Sequence, residues 1–163
     1  MSSPPGDVAT VTVLVKVPPS DAFSIFTTEI DLWWKRGPAY RIGGRNPGQI
    51  NLECGPGGRL LETFELASGP QTFEMGKIVA WEPPHRLAFE WRGVNFKSDE
   101  KTVVEVTFEP SASGTRVTVR HSGWSALGEG HPARHGLTGR DFSRMIGLWW
   151  AGLMTSLREH AEK

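Results

Sequence analysis

Alternating hydrophobic and polar positions predict a run of β-strands along most of the chain. In residues 10–17 valine occupies every second position, which is the period of a strand with one buried face. The same alternation recurs in residues 59–66, 72–81, 86–92, 101–109 and 115–121, and residues 39–42 and 49–54 are weaker segments between glycine-rich turns. These segments predict about six consecutive antiparallel strands after the first one.

Three segments have the spacing of helices. After Pro18-Pro19, Ser20 or Asp21 can cap a helix, and residues 29–34 predict a second short one. Residues 138–160 predict a long amphipathic helix whose apolar stripe is Phe142, Met145, Ile146, Trp149, Trp150, Leu153, Met154 and Leu157. Gly147 and Gly152 interrupt this helix, and each costs about 1 kcal/mol relative to alanine, which indicates a need for space or for close approach.

The order of these elements predicts an α+β fold. A strand, two short helices, six strands and a long helix (β-α-α-β6-α) form one curved antiparallel sheet wrapped around the C-terminal helix. We assign residues 1–8 to a disordered N-terminal lead and residues 9–163 to one domain, because a chain of this length buries enough surface to fold alone.

A helix that crosses the concave face of a twisted sheet touches it closely along one line, so large side chains or a cavity must fill the remaining wedge. The residues expected to line such a ligand cavity are Trp34, Glu62, Phe64, Trp81, Phe89, Trp91, His121, Ile146, Trp149, Trp150 and Leu153. The alternative is that these aromatic rings interdigitate and leave no room. Trp149 and Trp150 differ by about 100° around the helix, and the sequence leaves open which of them faces the cavity.

Glu62 and His121 are the candidates for acid–base chemistry, because a partly desolvated carboxylate and a histidine can both titrate near neutral pH. If Leu60 and Phe64 point inward, Glu62 does too, whereas inward Leu61 and Thr63 would leave it in solvent. The alternatives are a structural salt bridge of Glu62 with Arg45 or Arg59, and a core histidine at His121 whose hydrogen bonds are satisfied.

Composition excludes several classes of function. The 18 basic and 18 acidic residues give no net charge, so we expect no nucleic-acid partner. No apolar run approaches the roughly 20 residues of a membrane span, and the N-terminus lacks the pattern of a signal peptide, so we expect a soluble cytoplasmic protein. The single cysteine, Cys54, fits a reducing compartment and is interpreted as a small buried hydrophobe.

Metal, phosphate and nucleophile motifs are weak or missing in the sequence. His131 and His135 are four residues apart, but that spacing aligns two metal ligands only on a helix, and Pro132 lies between them. The glycine-rich turns at 43–44 and 55–58 lack the lysine and hydroxyl residue of a phosphate loop, and no Gly-x-Ser-x-Gly motif is present. We expect no metal and no cofactor.

Several short motifs together resemble one known family. They are Gly55-Pro56-Gly57-Gly58-Arg59 with Glu62 after it, Gly76 to Val79 followed by Trp81-Glu82-Pro83-Pro84 and Leu87, then Trp91, and finally Gly114-Thr115-Arg116-Val117 leading to His121-Ser122-Gly123-Trp124. This set, in this order, resembles the homologues of the activator of Hsp90 ATPase (AHSA1-like), within the START/Bet v 1-like (SRPBCC) superfamily of helix-grip domains. The resemblance extends over residues 10–158.

The resemblance implies a seven-stranded sheet and a deep hydrophobic cavity beneath the C-terminal helix. Superfamily members bind lipids, sterols, polyketides or plant hormones, and some are cyclases or dehydratases. The co-chaperone role belongs to eukaryotic members with an additional N-terminal domain. Because the family shares no catalytic set, only Glu62, Trp81 and His121 carry over as matching positions, with no role attached.

Three functions follow as hypotheses. The first is binding of a small hydrophobic or aromatic ligand between the sheet and the C-terminal helix, by a monomer or homodimer. The second is a small-molecule enzyme of the cyclase, dehydratase or hydrolase type that uses Glu62 and His121, which requires the two side chains to converge on one cavity. The third is an interaction module of the Hsp90 co-chaperone type.

Overall fold

The computed structural model describes residues 6–44, 48–128 and 130–163. Its strands are β1 (Ala9–Val15), β2 (Gly48–Leu52), β3 (Arg59–Leu66), β4 (Gly69–Glu82), β5 (Arg86–Trp91), β6 (Thr102–Ser111) and β7 (Gly114–Ser122). Its α-helices are α1 (Pro19–Thr28), α2 (Ile30–Trp33) and α3 (Gly139–Ala161), and two short 3-10 helices, Trp124–Leu127 and Pro132–Arg134, precede α3.

The seven strands form one antiparallel sheet in the order β1-β7-β6-β5-β4-β3-β2. Every strand from β2 to β7 pairs with its neighbour in sequence, and β1 pairs with β7. Helix α3 buries its apolar stripe in the core, where it packs against β1, while α1 packs against β6 and β7 and α2 packs against β2 and α3. The predicted α+β helix-grip fold is therefore confirmed.

Two predictions of local secondary structure were wrong. Residues 39–42 form turns and not a strand. Helix α1 begins at Pro19 with Pro18 as its N-cap, and neither Ser20 nor Asp21 caps it. Proline is favoured at the first helical position because its missing N–H would have no partner there.

Strand β3 turns Glu62 inward. Leu60 and Glu62 are buried, Leu61 is half-buried and Thr63 is exposed. This settles the ambiguous parity in favour of the inward carboxylate, with Phe64 on the same face but half-exposed near the end of the strand.

The segment between β7 and α3 is attached to the core by Trp124 and Leu127, both of which are buried. The Asp7 carboxylate accepts hydrogen bonds from the backbone N–H and hydroxyl of Ser125, so this part of the expected N-terminal lead contacts the same segment. Residues 1–5 lie outside the described ranges. The interpretation of Cys54 as a buried residue was wrong, because its side chain is exposed beyond the end of β2.

The two glycines inside α3 differ in what surrounds them. A Cβ added at Gly152 would lie 2.6 Å from the hydroxyl oxygen of Tyr40, whereas one added at Gly147 would meet no atom within 4 Å. Gly152 is therefore explained by the close approach of Tyr40, and the structure offers no such explanation for Gly147.

Alanine at these two positions is expected to have different effects. Gly147→Ala should raise the free energy of unfolding by about 0.5–1 kcal/mol, because alanine is the better helix former and nothing blocks its methyl group. In Gly152→Ala the same gain is offset, because the Tyr40 hydroxyl must move. Urea denaturation of both variants measures the difference, and an equal gain in both would contradict the proposed contact.

Candidate functional site

The loop between α2 and β2 is held by a buried arginine. Arg41 donates to the carboxylate of Asp31 at 2.8 Å and to the backbone carbonyls of Trp34 and Lys35 at 2.6 and 3.2 Å. Asp31 also accepts from the N–H of Ile50 at 2.8 Å. Because this ion pair is largely shielded from solvent and fully hydrogen-bonded, it fixes the loop against β2.

The carboxylate of Glu62 holds the other end of this loop. It accepts hydrogen bonds from the N–H groups of Ile42 at 2.9 Å and Gly43 at 2.7 Å, and the residue is 2% exposed. Of the two proposed salt-bridge partners, Arg59 pairs instead with Glu53 at 2.7 Å, and Arg45 lies outside the described residues. The contacts seen for Glu62 are thus backbone hydrogen bonds that fix the loop.

Aromatic rings fill the centre of the space between the sheet and α3. Trp34 stacks on Trp91 at 5.9 Å and meets Trp149 and Trp150 edge-on at 5.8 Å each. Tyr40 stacks on Trp149 at 5.6 Å, and the indole N–H of Trp149 donates to the Ala39 carbonyl at 2.6 Å. The interdigitation considered as an alternative occurs here, so the remaining cavities lie on either side of the Trp91–Trp149 contact.

His121 lies in a continuous chain of hydrogen bonds, and both of its own bonds are buried. Trp150 Nε1 donates to His121 Nδ1 at 3.0 Å, which assigns Nδ1 as the unprotonated nitrogen. His121 Nε2 therefore donates to Thr102 Oγ1 at 2.7 Å, and that hydroxyl donates to the Trp91 carbonyl at 3.1 Å. Burial lowers the pKa of His121 to about 3, because an imidazolium would lose its hydration there. His121 is consequently a neutral histidine with both nitrogens hydrogen-bonded.

A cavity of about 400 Å³ lies between the start of α3, the ends of β5 and β7 and the two 3-10 helices. Its floor contains the buried residues His121, Trp124 and Ile146, and its mouth contains exposed residues, including His135. The full lining is Pro38, Ala39, Trp91, His121, Trp124, Ala133, His135, Met145, Ile146 and Trp149. We call this space the α3 cavity; its walls are mainly apolar and aromatic, with few polar groups, as in small-molecule sites.

A second cavity of about 280 Å³ lies across the Trp91–Trp149 contact from the first. It is bounded by residues 38–42 of the loop, Glu62, Met75 and residues 91–94, and Trp149 is shared between the two spaces. Glu62 and His121 therefore line different cavities. Their strands, β3 and β7, are four positions apart in the sheet, and each step is about 4.8 Å.

The structure brings four of the predicted lining residues together in the α3 cavity: Trp91, His121, Ile146 and Trp149. It places Trp34, Phe89, Trp150 and Leu153 in the packed interior. Trp81 packs edge-on against Phe23 and borders a shallow apolar depression near Cys54. Phe64 borders a polar depression of about 500 Å³ at the β2–β4 end of the sheet, whose other walls are mostly exposed polar residues.

Trp149 and Trp150 lie in different surroundings. Trp149 is half-buried and lines both cavities, whereas Trp150 is fully buried and donates to His121. The 100° between successive helical residues turns one indole toward the cavities and the other into the core.

Sequence reasoning missed several wall residues: Pro38, Ala39, Trp124, Ala133, His135 and Met145. Met145 belongs to the predicted apolar stripe of α3, and Trp124 is the last residue of one of the family motifs. Irregular segments carry no periodicity that reveals which side chain faces inward. For Pro38, Ala39, Ala133 and His135 the sequence offers no signal that they line a cavity.

The histidines of the loop do not form a metal pair. His131 contacts Glu100 at 2.9 Å and its Nδ1 accepts from the N–H of Ala133, while His135 lies beyond the 3-10 helix in a left-handed conformation. Among the residues that the structure describes, no group of three or more His, Cys, Asp or Glu side chains could hold a metal ion. Within the same ranges, no helix is long and apolar enough to cross a membrane.

Comparison with known families gives a match over residues 16–140 to the model for activator of Hsp90 ATPase homolog 1-like proteins. The chain belongs to this family. The match covers most of the chain, from the end of β1 to the start of α3. It confirms the resemblance inferred from the sequence motifs. No curated protein matches the chain.

Several solved structures share the fold of this protein at low sequence identity. Protein MLL2253 from Mesorhizobium loti is 17% identical, with a TM-score of 0.63 over 93% of this chain and 94% of that one. Protein CV1439 from Chromobacterium violaceum is 15% identical, with a TM-score of 0.63 over 96% and 99%. The Aha1 dimer from Colwellia psychrerythraea is 18% identical, with a TM-score of 0.61 over 95% and 96%. At these identities the likeness shows the fold alone.

Proposed function

We propose that the protein binds a small apolar or aromatic molecule in the α3 cavity. The observation that supports this most is the cavity itself: about 400 Å³ bounded by Trp91, Trp124, Ile146 and Trp149. Pockets of this size suit small organic ligands, and aromatic walls gain both burial and ring contacts on binding. Membership of a superfamily with hydrophobic ligands supports the same function.

No observation favours the catalytic hypothesis. Both nitrogens of His121 are hydrogen-bonded within the protein, and Glu62 lines the other cavity. Convergence of the two side chains on one cavity was the requirement for a joint acid–base role, and they do not converge. An interaction with Hsp90 stays a prediction, because none of the described contacts bears on it.

Filling the α3 cavity should weaken binding. We choose 2-naphthalenemethanol as the probe and isothermal titration calorimetry as the measurement. Met145→Trp places a larger side chain on the cavity wall and is expected to weaken probe binding at least about 10-fold, since the indole occupies the space that the probe needs. The matched control is Leu148→Trp, on the same helix, where the side chain is 64% exposed and outside the cavity.

Circular dichroism and thermal unfolding are used to establish that Met145→Trp and Leu148→Trp fold like the unmodified protein. Equal probe affinity in Met145→Trp and Leu148→Trp would contradict the proposed site. Absence of binding to the unmodified protein at millimolar probe would contradict the function for this class of molecule.

A further inference from the structure

The floor of the α3 cavity offers a ligand no available polar side-chain atom. Its buried residues are His121, Trp124 and Ile146. Both ring nitrogens of His121 are hydrogen-bonded within the protein, and the indole Nε1 of Trp124 is enclosed by protein atoms, so that a molecule in the cavity does not reach it. Ile146 has an aliphatic side chain. A polar ligand group placed against this floor would lose its hydrogen bonds to water and gain none in return.

The backbone of the floor is already hydrogen-bonded as well. His121 lies in β7 between β1 and β6, so the sheet uses its N–H and carbonyl groups. The Trp124 N–H donates to the Asp7 carbonyl at 3.4 Å, and the Trp124 carbonyl accepts from Arg134 at 2.7 Å. Ile146 lies inside α3, where helical hydrogen bonds use both of its backbone groups. The floor is therefore complementary only to the apolar part of a ligand.

Polar side-chain groups that a ligand can use occur in the lining away from this floor. The exposed His135 lines the cavity at its mouth, and its imidazole forms no hydrogen bond with any residue of 6–44, 48–128 and 130–163. The half-buried Trp91 carries an indole N–H that has no acceptor among the same residues. The indole N–H of Trp149 is used, because it donates to the Ala39 carbonyl.

The backbone fixes His135 at the mouth. Its φ of 49° and ψ of 36° lie in the left-handed region, which residues other than glycine adopt uncommonly. The His135 N–H donates to the Pro132 carbonyl at 3.1 Å, which ends the 3-10 helix that contains the lining residue Ala133. Such a conformation persists where its surroundings impose it, and here it determines the position from which the imidazole borders the cavity.

We propose that the α3 cavity selects molecules that are polar at one end only, with the apolar end on the floor and the polar end at the mouth beside the imidazole of His135. This inference rests on the proposed function and adds the class and the orientation of the ligand to it. A neutral imidazole both donates and accepts, so a hydroxyl is a suitable polar end. A molecule that is polar at both ends would bury one polar group without a partner.

Two isomeric probes test the orientation, because they contain the same atoms and differ only in where their hydroxyl groups lie. Both hydroxymethyl groups of 2,3-naphthalenedimethanol are at one end of the ring system, whereas those of 2,6-naphthalenedimethanol are at opposite ends. Calorimetric titration should show the 2,3 isomer binding at least about 10-fold more tightly, since the 2,6 isomer must bury one hydroxyl without a hydrogen bond.

The single alcohol 2-naphthalenemethanol, titrated under the same conditions, separates this inference from the proposed function. If the single alcohol does not bind, the proposed function fails and the inference fails with it. If it binds but the 2,3 isomer binds no more tightly than the 2,6 isomer, or does not bind, the function stands and the selection for one polar end is overturned.

Variants locate the polar end through the ratio of the affinities for 2-naphthalenemethanol and 2-methylnaphthalene, the second measured by competition with the first. His135→Gly removes the imidazole and tolerates the left-handed conformation, so the ratio should fall about 5-fold, the effect of losing one neutral hydrogen bond. Trp91→Phe removes the indole N–H and should leave the ratio within about 2-fold. A ratio unchanged in His135→Gly, or one that falls at least as far in Trp91→Phe, would overturn the proposal.

Glu129 lies outside the described residues and close in sequence to His135, so Glu129→Gln is measured as well. A ratio of equal size in the unmodified protein and in Glu129→Gln supports the proposal. A preference for the alcohol that appears only in Glu129→Gln would mean that a carboxylate of the protein occupies the imidazole, and would overturn it.

Discussion

Lowering the pH from about 7.5 to about 5 is expected to reduce the free energy of unfolding by about 2 kcal/mol, because His121 is neutral in the folded protein and becomes protonated on unfolding. Burial lowers the folded-state pKa from the ordinary value of 6.5 to about 3. Between these two values the unfolded chain binds one more proton than the folded one, so stability falls as the pH falls. Urea denaturation at a series of pH values measures the slope.

A variant without the titrating ring isolates the contribution of His121. In His121→Gln the pH dependence over this range should become shallow, although loss of the native hydrogen bonds lowers stability at every pH. The matched control is His85→Gln, because His85 is exposed in the turn between β4 and β5 and should leave the slope unchanged. An equally steep slope in His121→Gln would show that another group causes the loss in acid.

Replacing Glu62 by glutamine is expected to lower the free energy of unfolding by about 2–4 kcal/mol, because the two hydrogen bonds to the N–H groups of Ile42 and Gly43 lose a charged acceptor. The amide of glutamine can accept through one atom only, and its NH2 group then faces the second N–H. Chemical denaturation measures the loss.

Glu65→Gln is the control for this variant, since Glu65 lies on the same strand with its side chain exposed, and we expect a change of less than about 0.5 kcal/mol. Hydrogen exchange provides a local measure, because the amides of Ile42 and Gly43 should exchange faster in Glu62→Gln. Unchanged stability together with unchanged protection of both amides would show that the carboxylate does not hold the loop.

The contacts of Glu62 and His121 show that the role of a buried polar residue depends on its tertiary contacts. In the sequence, both residues are candidates for proton transfer because an inward carboxylate and a strand-end histidine are suited to it. In the structure the first binds the backbone of a loop and the second joins Trp150 to Thr102. Each is occupied by a structural partner that lies at least 19 positions away in the sequence, and no local pattern could reveal that partner.

The fold could be predicted from the sequence because its causes are local. Period-two alternation marked the strands, the stripe of α3 marked the long helix, and the order of elements specified how a curved sheet must wrap around it. The errors fell where the chain lacks periodicity: the turns at residues 39–42, the start of α1 and the exposed Cys54. In such segments tertiary contacts, and not neighbouring residues, determine conformation.

What the sequence by itself determined is the helix-grip architecture, the family and the concentration of tryptophan between sheet and helix. The tertiary structure alone decided that these rings fill the centre and leave two separate cavities, and that Trp149 and not Trp150 lines them. The physical reason is that periodicity specifies which face a residue occupies, whereas cavity shape depends on how side chains from distant elements pack against one another.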